Sequence, residues 1–356
     1  MKPATLDELV ETVRCTPRVI PVGGGTKPRL SAGDGTVVRL TGLSGVVEYE
    51  PSEFTFTAWA GTKVSEMEAI LREKGQYLPF DPFWVAAGST LGGVVASGMS
   101  GPGRFRFGGV RDFILGVRFV DGAGRLMRMG GKVVKNAAGF DLPKFFVGSL
   151  GRWGVLAEVT FKVFPRPQAF RTLAVEVEGM EMATSWIREM SAQRWELDAS
   201  EVPVGGRSLL LRVGGPPEAL ESLTAEILGK WPGRSVSEAE AVEMWAGVRE
   251  FRWAHTGGSL FKVPMVTGAM PGLARELGSL EGVRVHYGAG GQVAYVSMSP
   301  DGDDERLDER LRRLGLAGLR LHGDGRLWRG LRRSSAVEAG LKRALDAEAR
   351  FMPVDD

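Results

Sequence analysis

With 356 residues, 43% of them apolar, the chain is too long for one ordinary core and has enough apolar material for two. Its 45 basic and 43 acidic residues nearly cancel, leaving no strong field to draw nucleic acid or an anionic membrane surface. The single cysteine, Cys15, excludes an internal disulfide and an iron–sulfur cluster, which needs several thiolates, so any such centre belongs to another protein.

In chain order, Thr5 followed by Glu8 predicts a capping box, and Leu6, Leu9, Val10 and Val13 give the short helix behind it an apolar face. Met1 to Arg14 lacks the basic-then-apolar order of a signal peptide, and no apolar run reaches about eighteen residues, which sets a cytoplasmic expectation. A strand over Val19 to Val22 runs into Gly23-Gly24-Gly25, and further strands are predicted at Val37 to Leu40, Val46 to Glu50 and Phe54 to Trp59. A helix over Val64 to Lys74 ends at Gly75. Asp121-Gly122-Ala123-Gly124 predicts a hairpin between Ile114 to Val120 and Arg125 to Met129. The alternation of Val155 to Phe164 predicts a strand with one buried face. Pro165-Arg166-Pro167 stops it and is the best domain boundary. Beyond it, strands at Thr172 to Val177, Ser208 to Val213, Leu260 to Pro264, Val283 to Tyr287 and Gln292 to Met298 alternate with helices at Met182 to Met190, Glu218 to Lys230, Ala239 to Trp253 and Gly272 to Leu280. Asp303 to Arg313 reads as a solvated helix face, and no internal repeat is visible.

Glycine is the anomaly: 50 residues, about twice the usual share of roughly 7%, crowd into Gly23 to Gly25, Gly88 to Gly109 and Gly139 to Gly154. Glycine lets a phosphate approach the main chain, where successive N–H groups bind it. The G-x-G-x-x-G fingerprint fails at each cluster, and Gly23-Gly24-Gly25-Thr26-Lys27 lacks the P-loop spacing and its Ser/Thr. Taken alone, a strand followed by Gly-Gly-Gly-Thr is compatible equally with a structural turn and with a phosphate site.

Together the clusters carry a family resemblance. Pro21-Val22-Gly23-Gly24-Gly25-Thr26 resembles the first pyrophosphate loop of the FAD-linked oxidases named after p-cresol methylhydroxylase and vanillyl-alcohol oxidase, and Ala87 to Gly98 resembles their second loop. Gly108-Gly109-Val110-Arg111-Asp112, Lys135 to Leu142 and Gly148 to Glu158 follow in the family's order. Within the family, Val134 to Leu142 and the wording around Phe80-Asp81-Pro82 are closer to the E subunits of bacterial glycolate oxidases than to the larger D subunits. In the second half, Leu321 to Arg329 and Leu345 to Pro353 are similar to segments of such subunits, although Phe351-Met352-Pro353-Val354 departs from the usual tail.

The resemblance implies an α+β chain: a two-part FAD-binding domain over residues 1–167, a smaller ferredoxin-like α+β cap over 168–330, and a C-terminal helix and tail over 331–356 returning to the first domain. It implies FAD held by Pro21, Gly23, Gly24, Gly25 and Thr26 on one side of the pyrophosphate and by Gly88, Ser89, Thr90, Gly92 and Gly93 on the other. Gly98 and Ser100 are expected where the loop passes the flavin ring, with Asn136, Gly139, Gly151, Gly154 and Val155 completing the set. No histidine precedes His255 and Cys15 lies in the first helix, so the flavin is expected to be noncovalent. The implied partners are a D-like flavoprotein subunit and an iron–sulfur subunit, with contact to the inner membrane only through them.

Oxidising a 2-hydroxy acid calls for a base near the hydroxyl and a cation for the carboxylate. The candidates are His255, near Lys262, and His322, near Arg326 and Arg329; His286 sits in an alternating strand and is expected to be structural or at the surface. Arg104 and Arg106 could face the flavin edge or a partner. No metal-ligand cluster is expected. Three readings stay open: an FAD-carrying subunit of a glycolate oxidase complex, a self-sufficient flavin-dependent 2-hydroxy acid dehydrogenase, and a scaffold that has lost its flavin. Intact glycine loops argue against the last, and the absence of a clear base–cation pair argues against the second.

Overall fold

The computed structural model describes residues 1–131, 142–332 and 336–353. The chain divides into two compact units, one built from Met1–Ser100, Gly109–Arg166 and Arg333–Asp356, the other from Gly101–Gly108 and Pro167–Arg332.

The first unit opens with the helix Leu6–Cys15, whose start is closed from both sides: Thr5 Oγ1 accepts from Glu8 N at 3.2 Å, and the Glu8 carboxylate accepts from Ala4 N at 2.8 Å. Strand Val19–Val22 pairs in parallel with Thr36–Arg39. A separate five-stranded antiparallel sheet runs in the order Val46–Glu50, Thr55–Trp59, Val155–Lys162, Ile114–Val120, Leu126–Gly130. Its central strand departs from the one-faced expectation, because every residue from Val155 to Phe161 is buried. The polar members are tolerated inside because neighbouring strands satisfy them: Thr160 Oγ1 lies 2.9 Å from Thr57 Oγ1, and Glu158 takes a hydrogen bond from Arg118 at 2.9 Å.

The chain returns to this unit after the helix Ala336–Leu345. Val19 N donates to Arg350 O at 2.7 Å, Phe351 pairs in parallel with Val19, and Gly122 N donates to Leu345 O at 2.7 Å. Buried Asp346 holds the turn by accepting from Lys342 Nζ at 2.5 Å, Arg350 N at 2.8 Å and Phe351 N at 3.0 Å.

The second unit contains a repeat that the sequence does not display. Ala169–Glu176, Met180–Ser191, Leu197–Glu201, Ser208–Gly215, Pro217–Lys230 and Gly233–Val236 form a strand–helix–strand–strand–helix–strand motif. Ser259–Pro264, Met270–Leu277, Val283–Gly288, Val293–Met298, Asp304–Arg313 and Ala317–His322 form it again. In each the spatial strand order is fourth, first, third, second, the ferredoxin-like arrangement, and Trp328–Gly330 adds an edge strand to the second copy. The second strands of the two copies meet edge to edge, where Val202 and Tyr287 exchange backbone hydrogen bonds of 2.8 and 3.0 Å. One apolar core, with Leu211, Val213, Phe261 and Val296 among its buried members, draws on both copies. No internal repeat is visible in the sequence; what recurs is the order of elements and strands.

One further expectation changes here, and one strand was not foreseen. Leu197–Glu201, for which the sequence predicts no element, is a wholly buried strand whose carboxylates are paired, Asp198 with Arg106 at 2.6 Å and Glu201 with His286 at 2.6 Å. The helix Asp304–Arg313 is not simply solvated. It buries Leu307 and Leu311, Asp304 pairs with fully buried Arg320 and with Arg329, and Asp308 accepts from Gly330 N at 2.7 Å.

Candidate functional site

The strand Val19–Val22 delivers Gly23 to Gly25 opposite the start of the helix Leu91–Ser97, which Thr90 caps by accepting from Gly93 N at 3.3 Å. The cleft between them holds about 720 Å³ outside the protein's atoms, part of it continuous with solvent. Of the residues expected to bind a cofactor, Pro21, Gly23, Gly24, Gly25, Thr26, Ser89, Thr90, Gly92, Gly93, Gly151 and Gly154 line it. Gly88 stands behind Gly24. Three others are not among the lining residues: Gly98, at φ +58°, ends the helix in the left-handed region, Ser100 Oγ accepts from Val110 N at 2.9 Å, and Val155 is buried in the core. Asn136 and Gly139 lie outside the described residues.

The glycines do two kinds of work. A Cβ on Gly23 would fall 2.1 Å from Thr90 Oγ1, and one on Gly24 would fall 2.0 Å from Gly88 O, so these two seal loop against loop. Gly25 is different: its φ of +69° favours glycine, and its Cβ would meet nothing within 4 Å. The second loop has less backbone to offer than expected, because Leu91 N already donates to Thr62 O at 3.0 Å and Gly92 N to Ala60 O at 2.8 Å. The amides of Gly24 and Gly25, by contrast, have no acceptor among the described residues, and neither do the buried hydroxyls of Ser89 and Ser149. Donors from separate loops that line one cleft and bond to no described residue suit an anionic acceptor. Lys27 adds a positive charge: it lines the same cleft, is 8% exposed, and burial lowers its pKa to about 8. Its place directly after Gly-Gly-Gly-Thr was the signal that could have brought it, but a P-loop comparison alone discards it. Ser149 and apolar Leu30, Leu40, Leu150 and Leu156 are further lining residues that motif reading did not single out.

The candidates for substrate chemistry all lie in the second unit, and the structure does not assemble them. His255 N donates to Ser297 Oγ at 2.8 Å while its Nε2 is buried without a partner. His322 ends the strand Ala317–His322, Arg326 is exposed, and Arg329 is taken up by Glu305 at 2.8 Å and Asp304 at 3.2 Å. Arg106 donates to Asp198 and Glu196 and Phe105 packs on the core, so residues 101–108 are part of this unit. A different set does come together. Lys262, Tyr295 and His286 occupy one row across three neighbouring strands. Burial, then the charge of Arg104, lowers the Lys262 pKa to about 8, and burial together with the carboxylate of Glu201 pushes the Tyr295 hydroxyl well up. No sequence pattern marks this row, because its members sit on three separate strands and are brought together only by register, Lys262 facing Tyr295 and Tyr295 facing His286. Among the described residues no group of His, Cys, Asp and Glu could hold a metal ion, and no helix is long and apolar enough to cross a membrane.

A family model described as an FAD binding domain matches residues 1–130, which include both loops of the cleft. Residues 1–130 are thus similar to an FAD binding domain. The flavin domain has relatives in bacteria: glycolate oxidase subunit GlcE of Escherichia coli is 39% identical over 211 residues, 58% of this chain and 56% of that protein. Glycolate oxidase subunit GlcD of Bacillus subtilis is 29% identical over 181 residues, 49% of this chain and 38% of that protein. The matched part is thus about half the length of these curated relatives or less. A solved structure of alkyldihydroxyacetonephosphate synthase shares the fold over 98% of this chain and 74% of its own, with a TM-score of 0.71 at 16% identity. The cleft of the flavin domain fits FAD: its free amides and hydroxyls suit a diphosphate, its leucines suit the apolar faces of the rings, and neither histidine nor cysteine lines it.

Proposed function

We propose that the chain is an FAD-binding oxidoreductase subunit of a glycolate (2-hydroxy acid) oxidase-type complex, carrying electrons through a noncovalently held flavin. The cleft carries this reading: unpartnered donors of Gly24, Gly25, Ser89 and Ser149 face a space that also takes a buried ammonium. The likeness to GlcE and GlcD supports a complex with a D-like flavoprotein subunit, and the lone Cys15 leaves onward transfer to an iron–sulfur subunit. Such a subunit is cytoplasmic and reaches the inner membrane through its partners. Bound in the cleft, the flavin supplies two-electron acceptance, and the protein's part is to hold and orient it and to exclude water.

A second reading, in which the chain alone oxidises a 2-hydroxy acid, draws on the Lys262, Tyr295 and His286 row with Arg104 nearby, since two cations suit a carboxylate. Anaerobic titration of the isolated FAD-loaded chain with glycolate or lactate decides between them. Little or no bleaching of flavin absorbance, with turnover restored by partner subunits, is the expected result; rapid stoichiometric bleaching promotes the second reading. Acid precipitation should leave free FAD in the supernatant, and colour retained in the pellet would defeat noncovalent binding.

A further inference from the structure

Among the described residues Lys27 is a cation without a counter-ion. Its ammonium lies 3.0 Å from Thr26 Oγ1 and 5.0 Å from the ring centroid of Trp84, and among the described residues no carboxylate pairs with it. The rest of its neighbourhood offers more of the same sign: free amides at Gly24 and Gly25 and hydroxyls at Ser89 and Ser149 that can donate. A fold that buries an ammonium among donors bears an uncompensated desolvation penalty, and one anion in the cleft would relieve it.

We propose that Lys27 is the charge-bearing ligand for the diphosphate of FAD, buried in advance of the cofactor at the expense of the apoprotein's own stability. The inference rests on the flavin reading of the cleft and adds a specific role to it. Gly24 and Gly25 would direct amides at the diphosphate, while Lys27, backed by the face of Trp84 and the Thr26 hydroxyl, would supply the opposite charge from a water-poor side where Coulomb attraction is strong. A residue serving only to pack the loop would stabilise both states alike. Lys27 should act on them in opposite directions.

The test replaces the charge and keeps the stem, with Lys27→Met and Lys27→Gln, and measures melting of the apoprotein alongside FAD and riboflavin binding by fluorescence quenching. Expected are an apoprotein that melts higher than wild type, an FAD Kd raised on the order of ten- to a hundred-fold, and unchanged binding of riboflavin, which has the ring without phosphates. Unchanged FAD affinity in both variants, with wild type still binding, overturns the role of Lys27 and leaves the flavin cleft standing. A lower melting temperature with equal losses for FAD and riboflavin also overturns it, making Lys27 a packing residue. Failure of the wild type to bind FAD at all would instead remove the flavin reading.

Discussion

Glu201 and His286 meet at 2.6 Å beside the backbone bridge of Val202 and Tyr287, so the edge where the two ferredoxin-like copies join is fastened by one side-chain pair. Glu201 also accepts from Ala289 N at 2.8 Å, and Trp253 stacks on the imidazole at 5.5 Å. Removing His286 leaves a buried carboxylate short of a partner. His286→Asn should lower stability by about 2–4 kcal/mol in urea denaturation while leaving FAD content and flavin reduction unchanged. A large fall in the rate of reduction with stability intact would turn the pair into part of the chemistry.

Adjacent glycines of the first loop should answer differently to the same change. Gly24→Val drives a side chain into the carbonyl of Gly88, so the two loops part and FAD is lost from the purified protein. Gly25→Ala meets no atom and bears mainly the strain of a left-handed alanine, about 1–2 kcal/mol. Its apoprotein should fold, with reduced FAD affinity because the methyl occupies space on the cleft side. Equal FAD content in the Gly24 variant and wild type would show that the loops need not touch.

Lys27 also sets a pH dependence whose sign follows from linkage. Its pKa is about 8 when folded against 10.5 for the ordinary side chain, so between these values the unfolded chain holds a proton that the folded chain has released. Apoprotein stability attributable to Lys27 therefore rises as pH climbs from about 8 towards 10.5, by about 3 kcal/mol at most, and is flat below 8 where both states are charged. Denaturation of wild type and Lys27→Met at matched pH isolates this contribution, and parallel curves would remove it.

Asp346→Ala should release the tail. The buried carboxylate gathers Lys342 Nζ and the amides of Arg350 and Phe351. A loss of roughly 2–4 kcal/mol and new proteolytic cleavage near residue 350 are expected, followed by weaker FAD retention because Phe351 pairs beside the strand leading to Gly23. Unaltered proteolysis would mean that the backbone pairing holds unaided.

Local signals read directly from the residues became local structure: the Thr5 cap, the Asp121 to Gly124 hairpin and the glycine turns each depend on neighbours a few positions away. What was illegible depends on partners far along the chain. Leu197–Glu201 is a buried strand whose carboxylates Arg106 and His286 satisfy, and neither partner can be found from within the segment. The duplicated motif is hidden for a similar reason, since what its copies share is a strand order that exists only once distant strands have paired. Lys27 escaped because an ammonium beside glycines looks exposed until Trp84 and the cleft walls surround it.

The pairing of Val19 with Phe351 also constrains the order of events during synthesis. The first strand of the flavin domain emerges from the ribosome long before the segment that completes its hydrogen bonding, and the entire duplicated unit is made in the interval. That strand can pair early with Thr36–Arg39, but its other edge at Val19 waits for Phe351 while the duplicated unit is made. Cofactor loading should then follow synthesis of Phe351 rather than precede it.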